Sequence, residues 1–350
     1  MSHFRHPLYL EDVDAIASYP SIDWKKLHEK TILISGATGM IGSCLTDAVM
    51  QKNQKDSFRC KVIALGRSAD KARKRFSAYW GNVYFQFIEC DINEVSTLPK
   101  DIAADFVLHL ASNTHPIAYS TDPIGTITAN IIGTKNMLDM AHRGNASRFL
   151  FASSNEIYGE NRGDRELFDE SYCGYIDCNT LRAGYPESKR CGEALCQAYK
   201  KQEGLDVVIA RLTRSFGPTL LPTDTKALSQ FLRNGLNHED IVLKSEGNQY
   251  FSYTYAADAV TGLLTVLTRG ENGEAYNVAD QNCDIRLKDL AAAIARISGT
   301  KVVFDLPSET ERQGFSKATK ARLDGSKLHK LGWATSYSIE EGLKRTLDCM

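Results

Sequence analysis

The 350-residue chain has the composition of an ordinary folded protein, with 43 % hydrophobic and 24 % charged residues. Its net charge of −1 at pH 7 leaves no overall basic field, so neither a nucleic acid nor an anionic membrane is expected as a partner. No apolar run reaches membrane-spanning length and the first residues lack a signal-peptide core, so we expect a cytoplasmic protein. Nine cysteines form no C-x-x-C pair, which favours reduced thiols and no metal site.

Residues 1–29 precede the first predicted strand as an N-terminal extension. Apolar residues recur there at the spacing of a short amphipathic helix: Leu10, Val13, Ile16 and Ala17. Trp24 follows as a candidate docking residue. We expect the extension to pack on the main domain, with an oligomer contact as the alternative.

From Thr31 to Leu212, short apolar runs alternate with segments of helical periodicity. Strands are predicted at 31–35, 61–66, 83–88, 106–111, 148–153 and 206–212. Helices are predicted at 40–52, 69–79, 124–143 and 185–203. This alternation predicts an α/β fold with a Rossmann-like, doubly wound parallel sheet over residues 30–212, whose strand ends carry the functional loops.

After Leu212 the alternation decays and polar turns separate shorter segments. Later helices are predicted near 225–236, 286–298 and 339–349. We predict a smaller C-terminal α/β substrate-binding region, formed by residues 213–249 and 281–350, and expect 250–280 to return to the first domain.

Gly36, Gly39 and Gly42 directly follow the first strand in the spacing G-x-x-G-x-x-G, and a helical pattern follows them. Free backbone N–H groups and the helix dipole at such a turn bind a pyrophosphate. The turn, with Thr38, Met40 and Ile41 between the glycines, therefore predicts a dinucleotide site. A glycine-rich turn without a ligand is the alternative.

The second strand ends in Gly66-Arg67-Ser68, without the acid that binds the ribose 2′-hydroxyl of NAD. Arg67 could instead meet a 2′-phosphate, because a phosphate needs a cation. We therefore expect NADP(H) or NAD(H), with NADP(H) slightly preferred. A solvated basic helix start is the alternative.

Tyr185-Pro186-Glu187-Ser188-Lys189 places a tyrosine and a lysine four residues apart, on one face of a helix that Pro186 can begin. A free tyrosine ionises near pH ~10, and a neighbouring ammonium lowers that pKa. We expect Tyr185 and Lys189 to exchange a proton with a substrate hydroxyl or carbonyl while hydride passes to or from a nicotinamide.

The fifth strand ends in FLFASSNEIYG, residues 149–159. With the glycine-rich turn and the tyrosine–lysine pair, this segment resembles the extended short-chain dehydrogenase/reductases, the epimerases, dehydratases and decarboxylases of nucleotide sugars. The resemblance runs from about residue 30 to the C-terminus. It implies that Ser154 hydrogen-bonds the reacting oxygen and that two helices, here 124–143 and 185–203, form a homodimer.

The resemblance assigns further cofactor contacts to residues beyond the third and fourth strands and on the following helix: Asp91 and Ile92, Leu110, Ala111 and Ser112, and Asn130. It gives Asn130 a structural and proton-relay role. Glucose 4,6-dehydratases carry Asp-Glu where this chain has Asn155-Glu156. An amide cannot supply the dehydratase proton, so dehydration is disfavoured, whereas Glu156 keeps decarboxylation open.

Arg214 stands where the family has asparagine, and Phe251 where an arginine grips the substrate diphosphate. Arg322 matches a second diphosphate arginine. We expect Arg214 to take over part of the diphosphate or to move the anion within the pocket. The alternative is an ion pair of Arg214 with Glu156 or Asp224. Further substrate-pocket candidates are Tyr253 and His115.

Three functions remain open. The first is an NAD(P)H-dependent reductase that converts a CDP-ketose to a CDP-alditol for capsule polysaccharide, which the resemblance and Arg67 favour. The second is a 4-epimerase or UDP-glucuronate decarboxylase with retained NAD⁺, favoured by Glu156 but opposed by Phe251 and Arg67. The third, a non-catalytic nucleotide-binding protein on this fold, is disfavoured because Tyr185 and Lys189 are both present.

Overall fold

The computed structural model describes residues 6–100, 102–114, 116–305 and 320–350. Its strands are β1 Thr31–Ser35, β2 Lys61–Gly66, β3 Phe85–Glu89, β4 Phe106–His109, β5 Arg148–Ser154, β6 Val207–Leu212, β7 Arg214–Phe216, β8 Ile241–Leu243, β9 Tyr250–Tyr255, β10 Ala275–Val278, β11 Asp284–Arg286, β12 Val302–Phe304 and β13 Lys320–Ala321. Its helices are α1 Pro7–Ala17, α2 Met40–Asp56, α3 Ala69–Arg75, α4 Pro116–Thr121, α5 Pro123–Arg143, α6 Gly184–Glu203, α7 Ala227–Leu236, α8 Ala256–Arg269, α9 Leu287–Ser298, α10 Ser326–His329 and α11 Ile339–Cys349.

Seven parallel strands form the main sheet in the order β10-β6-β5-β4-β1-β2-β3. Helices cover both faces, because buried side chains form one apolar core with α1, α2 and α8 and a second with α5 and α6. The predicted Rossmann-like α/β fold is confirmed. The strand order reverses between β1 and β4, so a crevice opens at their carboxyl ends.

Most predicted boundaries differ from the structure by a few residues: α2 extends to Asp56, α3 ends at Arg75, and β3 begins at Phe85. Helix α8 is absent from the predictions. Every residue of α8 except Arg269 is buried, because the helix packs on α1, α2 and β6. Its apolar residues recur at helical spacing, at Ala256, Val260, Leu263, Leu264 and Leu267, so the omission of this helix is a missed periodicity.

Apart from β10, which joins the main sheet, the strands after β6 form two small sheets. Strand β9 pairs in parallel with β7 and β13 and antiparallel with β11, while β8 pairs with β12. Strand β7 begins two residues after β6 ends, at Arg214. The side chains of β7 and β9 are therefore brought close to the crevice of the main sheet.

Helix α1 packs against α2 and α8. The Tyr9 hydroxyl donates a 2.5 Å hydrogen bond to Asp47 on α2. Asp12 accepts hydrogen bonds from Tyr255 on β9 and Arg345 on α11. These buried contacts tie the N-terminal segment to both parts of the chain. Within the described residues, no helix is long and apolar enough to cross a membrane.

Candidate active site

The glycine-rich turn leaves no room for side chains. Gly36 has φ of +70°, and a Cβ added there would lie 2.7 Å from the Ala111 backbone nitrogen. A Cβ on Gly42 would lie 2.4 Å from the Gly36 carbonyl oxygen. Gly39 begins α2 with no side chain capping its N–H groups. These features fit a dinucleotide pyrophosphate, held by the backbone at the start of α2.

A cavity of about 1000 Å³ extends from this turn across the ends of β5 and β6 to α7 and β9. Predicted site residues that line it are Gly36, Gly39, Met40, Ile41, Gly42, Leu110, Ser112, Ser154, Asn155, Glu156, Tyr185, Lys189, Arg214 and Tyr253. The fold thus brings the predicted cofactor turn and the predicted chemical residues into one space.

Tyr185 lies in the first turn of α6, and its ring stacks on Tyr119 of α4 with centroids 5.0 Å apart. Burial raises the pKa of Tyr185, and the negative charge of Glu156 raises it further. Hydrogen bonds with Ser154 and Ser112 act in the opposite direction. Burial and the charge of Glu156 outweigh these hydrogen bonds, so the phenol of Tyr185 stays protonated. The phenol lies beside the Ser154 hydroxyl.

Lys189 is 2 % exposed, and its Nζ donates a 2.8 Å hydrogen bond to the Ala152 carbonyl oxygen. The same Nζ lies 4.7 Å from the ring centre of Phe151. Burial lowers the pKa of Lys189 to about 7. The expectation that Lys189 lowers the pKa of Tyr185 is not met, because burial dominates the phenol and the lysine is bound elsewhere.

Asn130 on α5 links two serines near the tyrosine. Its Oδ1 accepts a 2.8 Å hydrogen bond from Ser112, and its Nδ2 donates a 3.0 Å bond to Ser188. Ser188 in turn donates to the Tyr185 carbonyl oxygen. Asn130 is therefore placed to fix the ends of β4 and α6 relative to each other, and both ends of its amide are engaged.

Glu156 follows Ser154, and its backbone N–H donates a 3.2 Å hydrogen bond to the Ser154 hydroxyl. The Glu156 carboxylate pairs with Arg182, with Oε2 and Nη2 2.8 Å apart. The Arg182 guanidinium lies 5.1 Å from the Tyr119 ring centre. Asn155 is buried and accepts a 3.5 Å bond from Ser154. The Glu156 carboxylate, the Arg182 guanidinium and the Tyr119 phenol thus surround the reacting tyrosine.

Arg214 lies flat against Phe251, with its guanidinium carbon 3.6 Å from the ring centre. Its Nη1 is buried and has no hydrogen-bond partner among the described residues. The alternative ion pairs are not formed, because Glu156 pairs with Arg182 and Asp224 with Lys226. Burial lowers the pKa of Arg214.

The side chain of Arg322 contacts Asp284 and Tyr250, outside the cavity lining. Its Nε donates a 2.7 Å hydrogen bond to the Asp284 carboxylate, its guanidinium lies over Tyr250, and it does not line the cavity. The diphosphate contact of Arg322 stays a prediction. His115 lies outside the described residues.

The remaining predicted cofactor residues follow the carboxyl ends of β1 to β4 and are not part of the cavity lining: Thr38, Arg67, Ser68, Asp91, Ile92 and Ala111. Arg67 is exposed, and Ser68 caps α3 by accepting a hydrogen bond from the Lys71 N–H. The side chain of Asp91 accepts from the Asn93 N–H. Ala111 approaches Gly36 through its backbone.

Sequence reasoning missed Tyr119 and Arg182. Tyr119 follows the fourth strand on the short helix α4, and Arg182 stands three residues before Tyr185. Neither belongs to a spaced motif, so only the fold brings them to the reacting tyrosine. The one signal in the sequence is that the charged Arg182 lies just before the helix that carries the predicted Tyr185–Lys189 pair.

Comparison with known proteins identifies the family. A model of the NAD dependent epimerase/dehydratase family matches residues 32–279. UDP-glucuronic acid decarboxylase 1 of Xenopus tropicalis is 33 % identical over 333 residues, which cover 94 % of this chain and 74 % of that protein.

Solved structures are also similar. UDP-glucuronic acid 4-epimerase from Bacillus cereus, in complex with UDP-glucuronic acid and NAD, has a TM-score of 0.76 at 25 % identity, covering 91 % of this chain and 98 % of that chain. dTDP-glucose 4,6-dehydratase from Streptomyces venezuelae has a TM-score of 0.78 at 23 % identity, covering 91 % and 96 %. The chain belongs to the NAD dependent epimerase/dehydratase family and is an enzyme of the extended short-chain dehydrogenase/reductase type.

Proposed function

We propose that this enzyme moves a hydride to and from a sugar carbon of a nucleotide-activated sugar, and that decarboxylation of UDP-glucuronate is its reaction. The observation that carries the proposal is that Ser154, Glu156, Tyr185 and Lys189 line one cavity that begins at the glycine-rich turn. The decarboxylase from Xenopus tropicalis, similar over nearly the whole chain, supports the choice of reaction.

The nicotinamide, when bound, accepts the hydride and later returns it. For this step the Tyr185 phenol first releases its own proton to solvent; the phenolate then takes the proton of the sugar hydroxyl as the ketone forms, and the Ser154 hydroxyl holds the oxygen. The ketone lies β to the carboxylate, so the bond to the carboxylate can break with release of carbon dioxide. The electron pair moves onto the oxygen held by Ser154 and Tyr185, which gives an enolate. A proton from water then adds to the carbon that lost the carboxylate and restores the ketone, and Tyr185 gives its proton to the oxygen when the ketone is reduced.

A second candidate is net reduction of a CDP-ketose with an exchangeable NADPH, in the synthesis of surface polysaccharide precursors. Two observations favour it. Tyr185 is held protonated, as a donor to a carbonyl oxygen must be. Arg67 is exposed at the end of β2, where no acid is present to bind the NAD ribose.

The test incubates the purified protein with NAD⁺ and UDP-glucuronate and quantifies carbon dioxide and UDP-pentose by chromatography and mass spectrometry. We expect both products in equal amounts and almost none from Tyr185→Phe, which keeps the ring stack on Tyr119 but cannot exchange the proton. A parallel reaction with a CDP-ketose and NADPH tests the second candidate. Turnover of the CDP-ketose alone would overturn the decarboxylase assignment.

A further inference from the structure

We propose that Arg214 recognises a carboxylate on the sugar, so that it selects acidic nucleotide sugars over neutral ones. The inference rests on the proposed function and concerns the same cavity. It gives a specific task to a residue that neither the glycine-rich turn nor the tyrosine–lysine pair requires.

Arg214 is prepared to bind an anion. Its guanidinium carbon lies 3.6 Å from the centre of the Phe251 ring, so the group is held against that ring. Its Nη1 is buried without a hydrogen-bond partner among the described residues, and burying such a donor is costly unless a ligand satisfies it. A carboxylate matches the paired N–H groups of a guanidinium.

The charges around Arg214 also favour the binding of an anion. Glu156 and Arg182 both interact electrostatically with Arg214, so two guanidinium groups share one carboxylate. Arg182 also has a buried Nη1 without a hydrogen-bond partner in the described part of the chain. A neutral sugar would leave this excess positive charge uncompensated, whereas a carboxylate balances it.

Position assigns the anion to the sugar rather than to the diphosphate. Arg182 lies against Tyr119, which stacks on Tyr185, and Arg214 lines the same cavity and interacts electrostatically with Arg182, Glu156 and Tyr119. The cavity also extends to the start of α7, where no side chain caps the helix N–H groups and Lys226 pairs with Asp224; these N–H groups offer a separate place for a diphosphate. An anionic group beside the reacting carbon is therefore part of the sugar itself.

The test measures binding by calorimetry in the Tyr185→Phe background, with NAD⁺ present, so that no ligand is consumed. The ligands are UDP-glucuronate, UDP-glucose and UDP, and the variants are Arg214→Gln, Arg214→Lys and the exposed control Arg296→Gln. We expect Arg214→Gln to weaken UDP-glucuronate binding about tenfold or more and to leave UDP-glucose and UDP within about twofold. Arg214→Lys should restore part of the loss, and thermal unfolding checks that each variant is folded.

An equal loss for all three ligands would overturn the inference, because Arg214 would then bind the diphosphate. No loss for any ligand would overturn it as well. If the parent protein binds none of the three ligands, the proposed function fails and the inference with it. If it binds all three equally and Arg214→Gln changes nothing, only the inference fails.

Discussion

At the scale of single residues, burial acts in opposite directions on the two residues of the tyrosine–lysine motif. It raises the pKa of Tyr185 and lowers that of Lys189 to about 7. Both shifts favour the neutral form, because a charged group loses hydration in the interior. Near neutral pH, the proton of Lys189 is therefore easily exchanged.

The Lys189 pKa has a measurable consequence for stability. An unfolded lysine has a pKa near ~10.4, so between about pH 7 and 10 the unfolded chain binds the extra proton and folding stability rises with pH. We expect the free energy of unfolding of wild type, relative to Lys189→Met, to rise by up to about 1.4 kcal/mol per pH unit in that range. Urea titrations at several pH values measure it, with exposed Lys344→Met as the control. A difference that stays flat or falls with pH would contradict a buried lysine with a lowered pKa.

We expect Arg67 to set the preference of the enzyme for NADP(H) over NAD(H). Arg67 is exposed at the end of β2, and the strand end Gly66-Arg67-Ser68 carries no acid for the ribose. We predict that Arg67→Asp weakens NADP⁺ binding about tenfold or more and strengthens NAD⁺ binding, because a carboxylate repels a phosphate and accepts from a ribose hydroxyl. Fluorescence titration with both cofactors measures this, with Arg296→Ala as the control. Equal affinity changes for NAD⁺ and NADP⁺ would refute the assignment.

The spacing of residues along the sequence identified those that act together with a near neighbour in the chain, such as Tyr185 with Lys189. It could not assign the partners of Arg214, because Glu156 and Asp224 are engaged by Arg182 and Lys226 from other segments. Pairings of this kind depend on side-chain directions after folding, which a sequence pattern does not contain.

At the scale of elements, the turn from β1 to α2 depends on contact between backbones. A Cβ on Gly42 would lie 2.4 Å from the Gly36 carbonyl oxygen, and neither group can move without displacing the turn. We predict that Gly42→Ala costs about 1–3 kcal/mol of stability and weakens nicotinamide binding. Thermal unfolding and cofactor titration measure both effects, with Ser43→Ala on the same helix as the control. Unchanged cofactor affinity in a folded Gly42→Ala protein would argue against this turn as the pyrophosphate site.

The elements of the main sheet could be predicted because strand and helix alternate with clear periodicities. Helix α8 was missed although its apolar residues also recur at helical spacing, from Ala256 to Leu267. Strands β7 and β8 have three residues each, too few for a period to be recognised.

At the scale of the whole molecule, α5 exposes isoleucines at helical spacing. Ile124, Ile127 and Ile132 are 76 %, 37 % and 43 % exposed, and α5 packs on α6. Covering such residues in a homodimer would remove them from water. We predict a dimer by light scattering, converted to a monomer by Ile124→Glu together with Ile132→Glu, while the exposed Val83→Glu has no effect. A monomeric wild-type protein would contradict the prediction.

The central claim is hydride transfer at a nucleotide sugar through Tyr185, and it is tested most directly by rapid mixing. The purified protein, loaded with NAD⁺, is mixed with UDP-glucuronate while the near-ultraviolet absorbance of reduced nicotinamide is followed. We expect this absorbance to rise only when the sugar is added, and we expect no rise with the Tyr185→Phe variant. A cofactor-loaded protein that binds the sugar but shows neither reduced nicotinamide nor product would contradict it.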